Sequence, residues 1–212
     1  AGMRRRGALV AVPVCLIATL VSWLHSHGRP TFEVTSPGLS SGTVLGLVLL
    51  VPVAAVLGVG ARRLWSWMLA HRVRVPRWLP AAIGTAGLVT GLASLWVPAI
   101  VGNGRDAMEM ALGTGLPGAS NSAAGAGLVL LVGIVALKPV LTGLTLAAGA
   151  TGGRLAPSLA AGSSAGAALA IALHACGVEA SVPVLALAGA GAVLATTQRA
   201  PVFGIVFTWE LA

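Results

Sequence analysis

Charged side chains are scarce in this sequence. Only 8 % of the 212 residues are Asp, Glu, Lys or Arg, whereas about a quarter are charged in a typical soluble domain. Hydrophobic residues make up 57 % of the chain. This small number of charges is not enough to solvate the surface of a protein in water. The composition therefore excludes an ordinary soluble domain and predicts that most of the surface faces lipid.

Acidic residues are the rarest charges, with five against 13 Lys and Arg, which gives a net charge of +8. In a soluble protein this excess would indicate a nucleic-acid partner. Here most of the basic residues lie in two short hydrophilic segments, Arg4–Arg6 and 62–77. Membrane topology therefore explains the charge, and no nucleic-acid partner is expected. Because basic loops face the inside, residues 25–42 and 102–122 are predicted to lie outside.

Cysteine is also rare, and tyrosine is absent. Two cysteines, Cys15 and Cys176, cannot form the disulfide framework of a small secreted protein, and their positions do not match a metal-binding spacing. Both lie in apolar runs and are interpreted as small packing residues. The sequence predicts no metal site and no cofactor.

Apolar runs of the length that spans a bilayer, about 20 residues, recur along the chain. They predict an all-α polytopic membrane protein in three regions: a span at 1–24, an outer loop at 25–42 and a membrane repeat at 43–212. Tryptophans near the ends of the runs are predicted to lie at the membrane interface: Trp23, Trp65, Trp67, Trp78 and Trp96. The candidate spans are 7–24, 43–61, 79–101, 124–148, 155–176, 180–197 and 200–211, the last two being short.

Glycines four residues apart, which let helix backbones approach closely, occur inside the spans. The pairs are Gly42 with Gly46, Gly87 with Gly91, and Gly162 with Gly166. The last pair is also part of a Gly-x-Ser-x-Gly pattern, which in hydrolases requires a strand-to-helix turn and a partner histidine. Inside an apolar helix the pattern indicates packing, and no enzyme activity is expected.

The stretch "GATGGRLAP", residues 149–157, interrupts two apolar runs. Its glycines disfavour helix, and Pro157 suits the first turn of a helix. A helix is therefore predicted to begin near Arg154 and to run to about Cys176. The first amides of such a helix lack intrahelical acceptors and favour anions, which predicts an anion site at membrane depth. The alternative is a surface loop in which Arg154 lies at the interface.

Lys138 is a charge inside a predicted span. Intramembrane charges commonly face a cavity or a partner and mark a pathway. The alternative is that the side chain extends along the helix to the nearest interface. The sequence leaves both interpretations open.

Three segments resemble the CLC family of chloride channels and transporters, in the order in which the family has them. Residues 137–166, "LKPVLTGLTLAAGATGGRLAPSLAAGSSAG", resemble the family's Gly-Gly-x-Phe-x-Pro signature. Residues 87–104 resemble its glycine-rich span that ends in proline and a glycine-rich turn, and residues 187–211 resemble its Arg-Ala-Pro helix that ends in an acidic residue. The resemblance implies a homodimer in which each subunit has its own anion pathway, formed by two inverted halves.

By this resemblance, chloride is held by the first backbone amides of the helix, above all those of Arg154 and Leu155. Leu155 occupies the place of the family's Phe, and Arg154 stands where an aliphatic residue is common, but neither change removes an amide. The implied anion site is Gly152, Gly153, Arg154, Leu155, Ala156 and Pro157, with Lys138 as a possible pathway charge.

The family's first-half motifs, which supply a serine ligand and a gating glutamate, have no match here, and its tyrosine ligand has none either. The sequence is therefore expected to be the second inverted-repeat half of a CLC-type fold, with broken and tilted helices, incomplete at its C-terminus. The expected function is a chloride channel or proton-coupled chloride transporter in the bacterial inner membrane. Its expected partners are chloride, the bilayer and either a second copy or a complementing N-terminal half. The alternative is a split-gene or remnant assembly subunit without transport activity alone.

Overall fold

The computed structural model describes residues 13–14, 16–21, 23–24, 39–113 and 121–211. These residues form helices and turns, with no strand among them, so the prediction of an all-α protein is confirmed. Residues 13–14, 16–21 and 23–24, within the predicted first span, are helical and belong to a unit separate from residues 34–209. Most of the predicted outer loop at 25–42 lies outside the described residues.

Seven α-helices follow residue 39 in the described part of the chain. Three of them are long and apolar enough to cross a membrane: α1, α4 (its stretch Gly125–Ala147) and α5. The chain is therefore a multi-pass membrane protein. The helices are α1 (Ser41–Ala70), α2 (Leu79–Ser94), α3 (Arg105–Gly113), α4 (Asn121–Ala147), α5 (Leu155–Ala175), α6 (Val182–Gln198) and α7 (Pro201–Leu211).

Helix α1 begins and ends differently from the predicted span at 43–61. Ser40 caps its start, because the Ser40 hydroxyl accepts a hydrogen bond from the Thr43 amide at 3.1 Å. The helix then continues through Arg62 and Arg63 to Ala70. The prediction that 62–77 is a loop is wrong for its first nine residues, because arginine is a good helix former and no proline lies between Arg62 and Pro76.

The predicted span at 79–101 is not one helix. Helix α2 ends at Ser94, and a short 3₁₀ turn follows at Pro98–Ile100. Val97 has φ −130° and ψ 81°, outside the helical region, because the ring of a following proline disfavours that region. The chain therefore changes direction after α2. Residues 101–104 then connect the 3₁₀ turn to α3, the short helix that contains Asp106 and Glu109.

Helix α5 lies at the centre of the helices and packs most extensively on α6. Gly162 and Gly166 of α5 lie directly against the backbone of α6 at Gly189 and Leu185, with no room for a Cβ atom. Gly42 and Gly46 likewise lie against Glu179 and Leu185. The predicted close packing is confirmed at these two pairs, whereas Gly87 and Gly91 of α2 meet no other part of the described chain.

Trp65 and Cys176 differ from their predicted environments. Trp65 is 1 % exposed and its Nε1 donates a hydrogen bond to the Pro139 carbonyl oxygen at 2.8 Å, so its ring joins α1 to α4 and is not exposed to lipid as an interfacial ring would be. Trp67, Trp78 and Trp96 are exposed, as predicted. Cys176, interpreted above as a packing residue, is exposed because it lies just beyond the end of α5.

Candidate functional site

The start of α5 has the geometry that the sequence predicts. Arg154 is the N-cap, Leu155 is the first helical residue, and Pro157 lies in the first turn. No side chain caps this helix, and within the described residues the amides of Arg154, Leu155 and Ala156 donate no hydrogen bond. These amides therefore remain available as donors at the positive end of a 21-residue helix.

The first carbonyl group of the helix accepts two hydrogen bonds. The carbonyl oxygen of Arg154 accepts hydrogen bonds from the Ser158 amide at 3.3 Å and from the Ser158 hydroxyl at 2.6 Å. The Ser158 hydroxyl also lies 2.9 Å from Thr197 Oγ1 of α6. Hydrogen bonds thus fix the first carbonyl group of α5 and connect its first turn to α6. The amides of the same turn make no hydrogen bond among the described residues.

An open pocket of about 400 Å³ lies at this helix start. The pocket is lined by residues of the 152–157 segment, of one face of α4, of the connection after the 3₁₀ turn and of α2. All predicted site residues except Arg154 line the pocket, and Arg154 is exposed next to it. The lining residues are Thr90, Ile100, Gly102, Asn103, Lys138, Leu141, Thr142, Thr145, Leu146, Gly152, Gly153, Leu155, Ala156 and Pro157.

Lys138 is the one charged residue in that lining, and it is 4 % exposed. Its Nζ donates hydrogen bonds to the carbonyl oxygens of Ile100 at 2.6 Å and of Gly102 at 2.9 Å. The side chain is therefore buried within the protein and does not extend to its surface. The buried ammonium group is held by these two carbonyl oxygens, and the carboxylate of Asp106, which does not line the pocket, also interacts with it electrostatically.

The connection held by Lys138 packs on the first turns of α5. Gly102 has φ +75° and Gly104 has φ +89°, conformations that glycine adopts without strain. A Cβ atom on Gly104 would lie 2.9 Å from the Ala160 Cβ and 3.1 Å from the Ala156 carbonyl oxygen. Residues 100–104 can therefore take this path only because glycine occupies position 104, and Lys138 anchors the same connection on its other side.

Four polar residues in the pocket were not predicted from the sequence: Thr90, Asn103, Thr142 and Thr145. Lys138, Thr142 and Thr145 are spaced by four and three residues, so they share one face of α4. This spacing of polar residues in an otherwise apolar span could have predicted that this face of α4 lines a polar site. Asn103 gave no periodic signal, because it lies in a connection whose path depends on Lys138 and Gly104.

The Gly-x-Ser-x-Gly pattern does not form a hydrolase site. Ser163 and Ser164 are buried in the middle of α5, with no strand-to-helix turn, and the Ser163 hydroxyl donates to the Ala160 carbonyl oxygen at 3.1 Å. His174 is exposed near the far end of the same helix. Among the residues that the structure describes, no group of three His, Cys, Asp or Glu side chains could hold a metal ion.

Comparison with known proteins identifies the family. The sequence model of the voltage gated chloride channel family matches residues 2–212. This chain is a member of that family. The CLC resemblance of the helix start, of the span before it and of the segment after it is thereby confirmed.

Curated relatives agree with the family assignment. Over 143 residues the chain is 34 % identical to "H(+)/Cl(-) exchange transporter ClcA" of Cronobacter sakazakii, with 66 % of this chain and 28 % of the relative covered. It is 33 % identical over 187 residues to "Putative chloride channel protein ClcB-like" of Ralstonia nicotianae, with 87 % of this chain and 40 % of the relative covered. The chain thus spans less than half the length of these relatives. No solved structure matches the chain.

These relatives are named as transporters and channels, in agreement with the expectation that the chain is not an enzyme. They are also bacterial, which favours the bacterial inner membrane as the location of this multi-pass protein.

Proposed function

We propose that this chain forms the anion-binding part of a chloride pathway. The observation that carries the proposal is that Leu155 and Ala156, whose amides donate no hydrogen bond among the described residues, line one pocket together with Lys138, and that this lining contains no carboxylate. Amide dipoles and a cation raise the electrostatic potential of the pocket. Because leucine, isoleucine and proline side chains also line it, this potential is weakly screened and attracts a small anion strongly.

The predicted anion site fits this role residue by residue. The amides of Arg154 and Leu155 would donate to the anion, with the Ala156 amide next in the same turn. Gly152 and Gly153 leave the approach to these amides open, since a Cβ on Gly153 would meet no atom within 4 Å. Pro157 has no N–H to offer, but its ring fixes φ in the first turn. Lys138 would add positive charge and hold residues 100–104 beside the site.

Chloride is the proposed anion because the relatives are named for it. Their names include both an exchanger and a channel, and the choice between the two depends on acidic groups that this sequence does not match. The aligned part of the chain covers only 28 % to 40 % of these relatives, so we propose that a complementing first half, or a homodimeric assembly, completes the pathway. On this proposal, the chain alone carries no selective chloride flux across liposomes.

Calorimetric titration of the purified chain with chloride in mild detergent tests the amide site. Leu155→Pro removes the amide of the first helical residue, and because proline also disfavours the αR conformation of the preceding Arg154, the unfolding temperature of the variant is measured as well. Leu155→Ala removes the same side chain but keeps the amide. Loss of one hydrogen bond to an anion corresponds to about a 10- to 100-fold weaker affinity, expected for Leu155→Pro only. Equal affinities of both variants, at equal unfolding temperature, would exclude a role for this amide.

A membrane assembly subunit without transport activity alone is the second candidate. It is favoured by the share of the relatives that the chain covers, 28 % to 40 %. Reconstitution with a separately expressed first half of a relative separates the candidates. Chloride flux that needs both pieces, and that Leu155→Pro abolishes, supports a split pathway. Stable association without flux supports the assembly subunit.

A further inference from the structure

The basic segment 62–77 forms a surface with an unusual concentration of positive charge. It contains Arg62, Arg63, Arg72, Arg74 and Arg77, five of the 13 basic residues of the chain, and no acidic residue. Arg63, Arg72, Arg74 and Arg77 are exposed. Within the described residues the one ion pair joins Arg105 to Glu109, so none of these five arginines is neutralised by a carboxylate.

The length of α1 places this segment relative to the bilayer. Residues 41–61 carry no charge and extend about 30 Å at about 1.5 Å per residue, which matches the thickness of the hydrocarbon core. The last turns of α1, beginning at Arg62, and the turn that follows are then at the level of the lipid headgroups. The exposed indole rings of Trp67 and Trp78 lie in the same segment, as is typical of membrane interfaces.

The segment has a fixed conformation. The Val73 amide donates to the carbonyl oxygen of Ala147, the last residue of α4, at 2.8 Å. Leu79 packs against Gly149, and a 3₁₀ turn at Pro76–Trp78 places the Arg77 guanidinium 5.8 Å from the centre of the Trp78 ring. The arginines are therefore presented from an ordered turn.

Stabilisation of the helix end does not account for these charges. No basic residue lies in the last turn of α1, where a cation would interact with the helix dipole. The Nε of Arg62 is shielded from solvent and has no hydrogen-bond acceptor among the described residues. Such a donor, in a segment that also carries four exposed guanidinium groups, has the chemistry of a partner for a phosphate ester.

We propose that segment 62–77 binds the headgroups of anionic phospholipids, with the guanidinium groups on the phosphates and the tryptophan rings between the acyl chains and the headgroups. Guanidinium groups match phosphate oxygens through paired hydrogen bonds. The acyl chains would lie along the exposed apolar face of α1, which includes Val48, Val51 and Val56. This inference does not depend on the proposed anion pathway.

Native mass spectrometry of the purified chain with short-chain phosphatidylglycerol and phosphatidylcholine tests the proposal. The variant in which Arg63, Arg72, Arg74 and Arg77 are all replaced by Gln removes four exposed charges. Arg105→Gln is the control, because it removes one arginine outside the segment. Each arginine near an anionic lipid surface is worth about a fivefold change in affinity. We expect phosphatidylglycerol to bind at least tenfold more weakly to the fourfold variant and normally to the control.

Three results would overturn the proposal. Equal binding of the two lipids would show that charge is not recognised. Unchanged phosphatidylglycerol binding by the fourfold variant would place the lipid elsewhere. Binding of glycerol phosphate, which has no acyl chains, as tightly as the lipid would identify a site for a soluble phosphate. The unfolding temperature of each variant shows whether the fold is intact, and its chloride titration is expected to match that of the unmodified chain.

Discussion

The ammonium group of Lys138 donates a 2.9 Å hydrogen bond to the carbonyl oxygen of Gly102, a residue 36 positions earlier in the chain. This bond and its companion to Ile100 join the middle of α4 to the connection that precedes α3. The same connection contacts α5 through Gly104. A single buried cation therefore links three parts of the chain around the candidate anion site.

Replacing Lys138 with Met is expected to lower both stability and chloride affinity. Two carbonyl oxygens lose their donor, and each such loss costs about 1–3 kcal/mol when the group remains buried. The pocket also loses its positive charge. The unfolding temperature in detergent and the chloride titration measure the two effects.

Lys138→Arg is the matched variant, because it keeps the charge and supplies donors to the same two carbonyl oxygens. It is expected to retain more stability and more chloride affinity than Lys138→Met. If Lys138→Met binds chloride as tightly as the unmodified chain, neither the charge nor the position of residues 100–104 contributes to the site.

Arg154 provides a separate test, because its amide and its side chain make different contributions. The side chain is exposed, so its charge is screened by salt. Arg154→Gln keeps the amide and is expected to weaken chloride binding by no more than about threefold at low ionic strength, a difference of under 1 kcal/mol. The difference is expected to disappear in 0.5 M sodium gluconate. A tenfold loss that persists in salt would assign the binding to the guanidinium group.

The helices and the start of α5 could be predicted from sequence because they depend on local signals. Apolar run length, the glycines before Arg154 and the position of Pro157 are all readable in a short window. The pocket could not be predicted in the same way. It depends on the 100–104 connection, whose path is determined by Lys138 and by the close contact of Gly104 with Ala156.

The errors have a common physical origin. The predicted loop at 62–77 and the predicted span at 79–101 were both bounded by hydropathy, which measures side-chain solvation and carries no information on backbone geometry. Helix α1 continues through its arginines because they favour helix, and α2 ends before Pro98 because of the proline ring. Trp65 was assigned to the interface for the same reason, although its ring is buried against α4.

Trp65→Phe is expected to destabilise the chain by about 1 kcal/mol. The substitution keeps an aromatic ring between α1 and α4 but removes the 2.8 Å hydrogen bond to the Pro139 carbonyl oxygen. Trp67→Phe is the control, because Trp67 is 60 % exposed. The unfolding temperature is expected to fall for the first variant only. Equal stabilities would mean that the Trp65 hydrogen bond contributes nothing beyond the packing of the ring.

The contact between α5 and α6 predicts opposite outcomes for two glycine substitutions. At Gly162 a Cβ atom would overlap the backbone of Gly189, so Gly162→Ala forces the central helices apart at a cost of about 1–3 kcal/mol. At Gly87 a Cβ atom would meet nothing within 4 Å, and Gly87→Ala is expected to raise stability slightly, because alanine favours helix over glycine by about 1 kcal/mol. Thermal unfolding of both variants in one detergent measures the difference. If Gly162→Ala is as stable as Gly87→Ala, α5 and α6 do not pack as closely as the structure has them, and the first turn of α5 would lose its support.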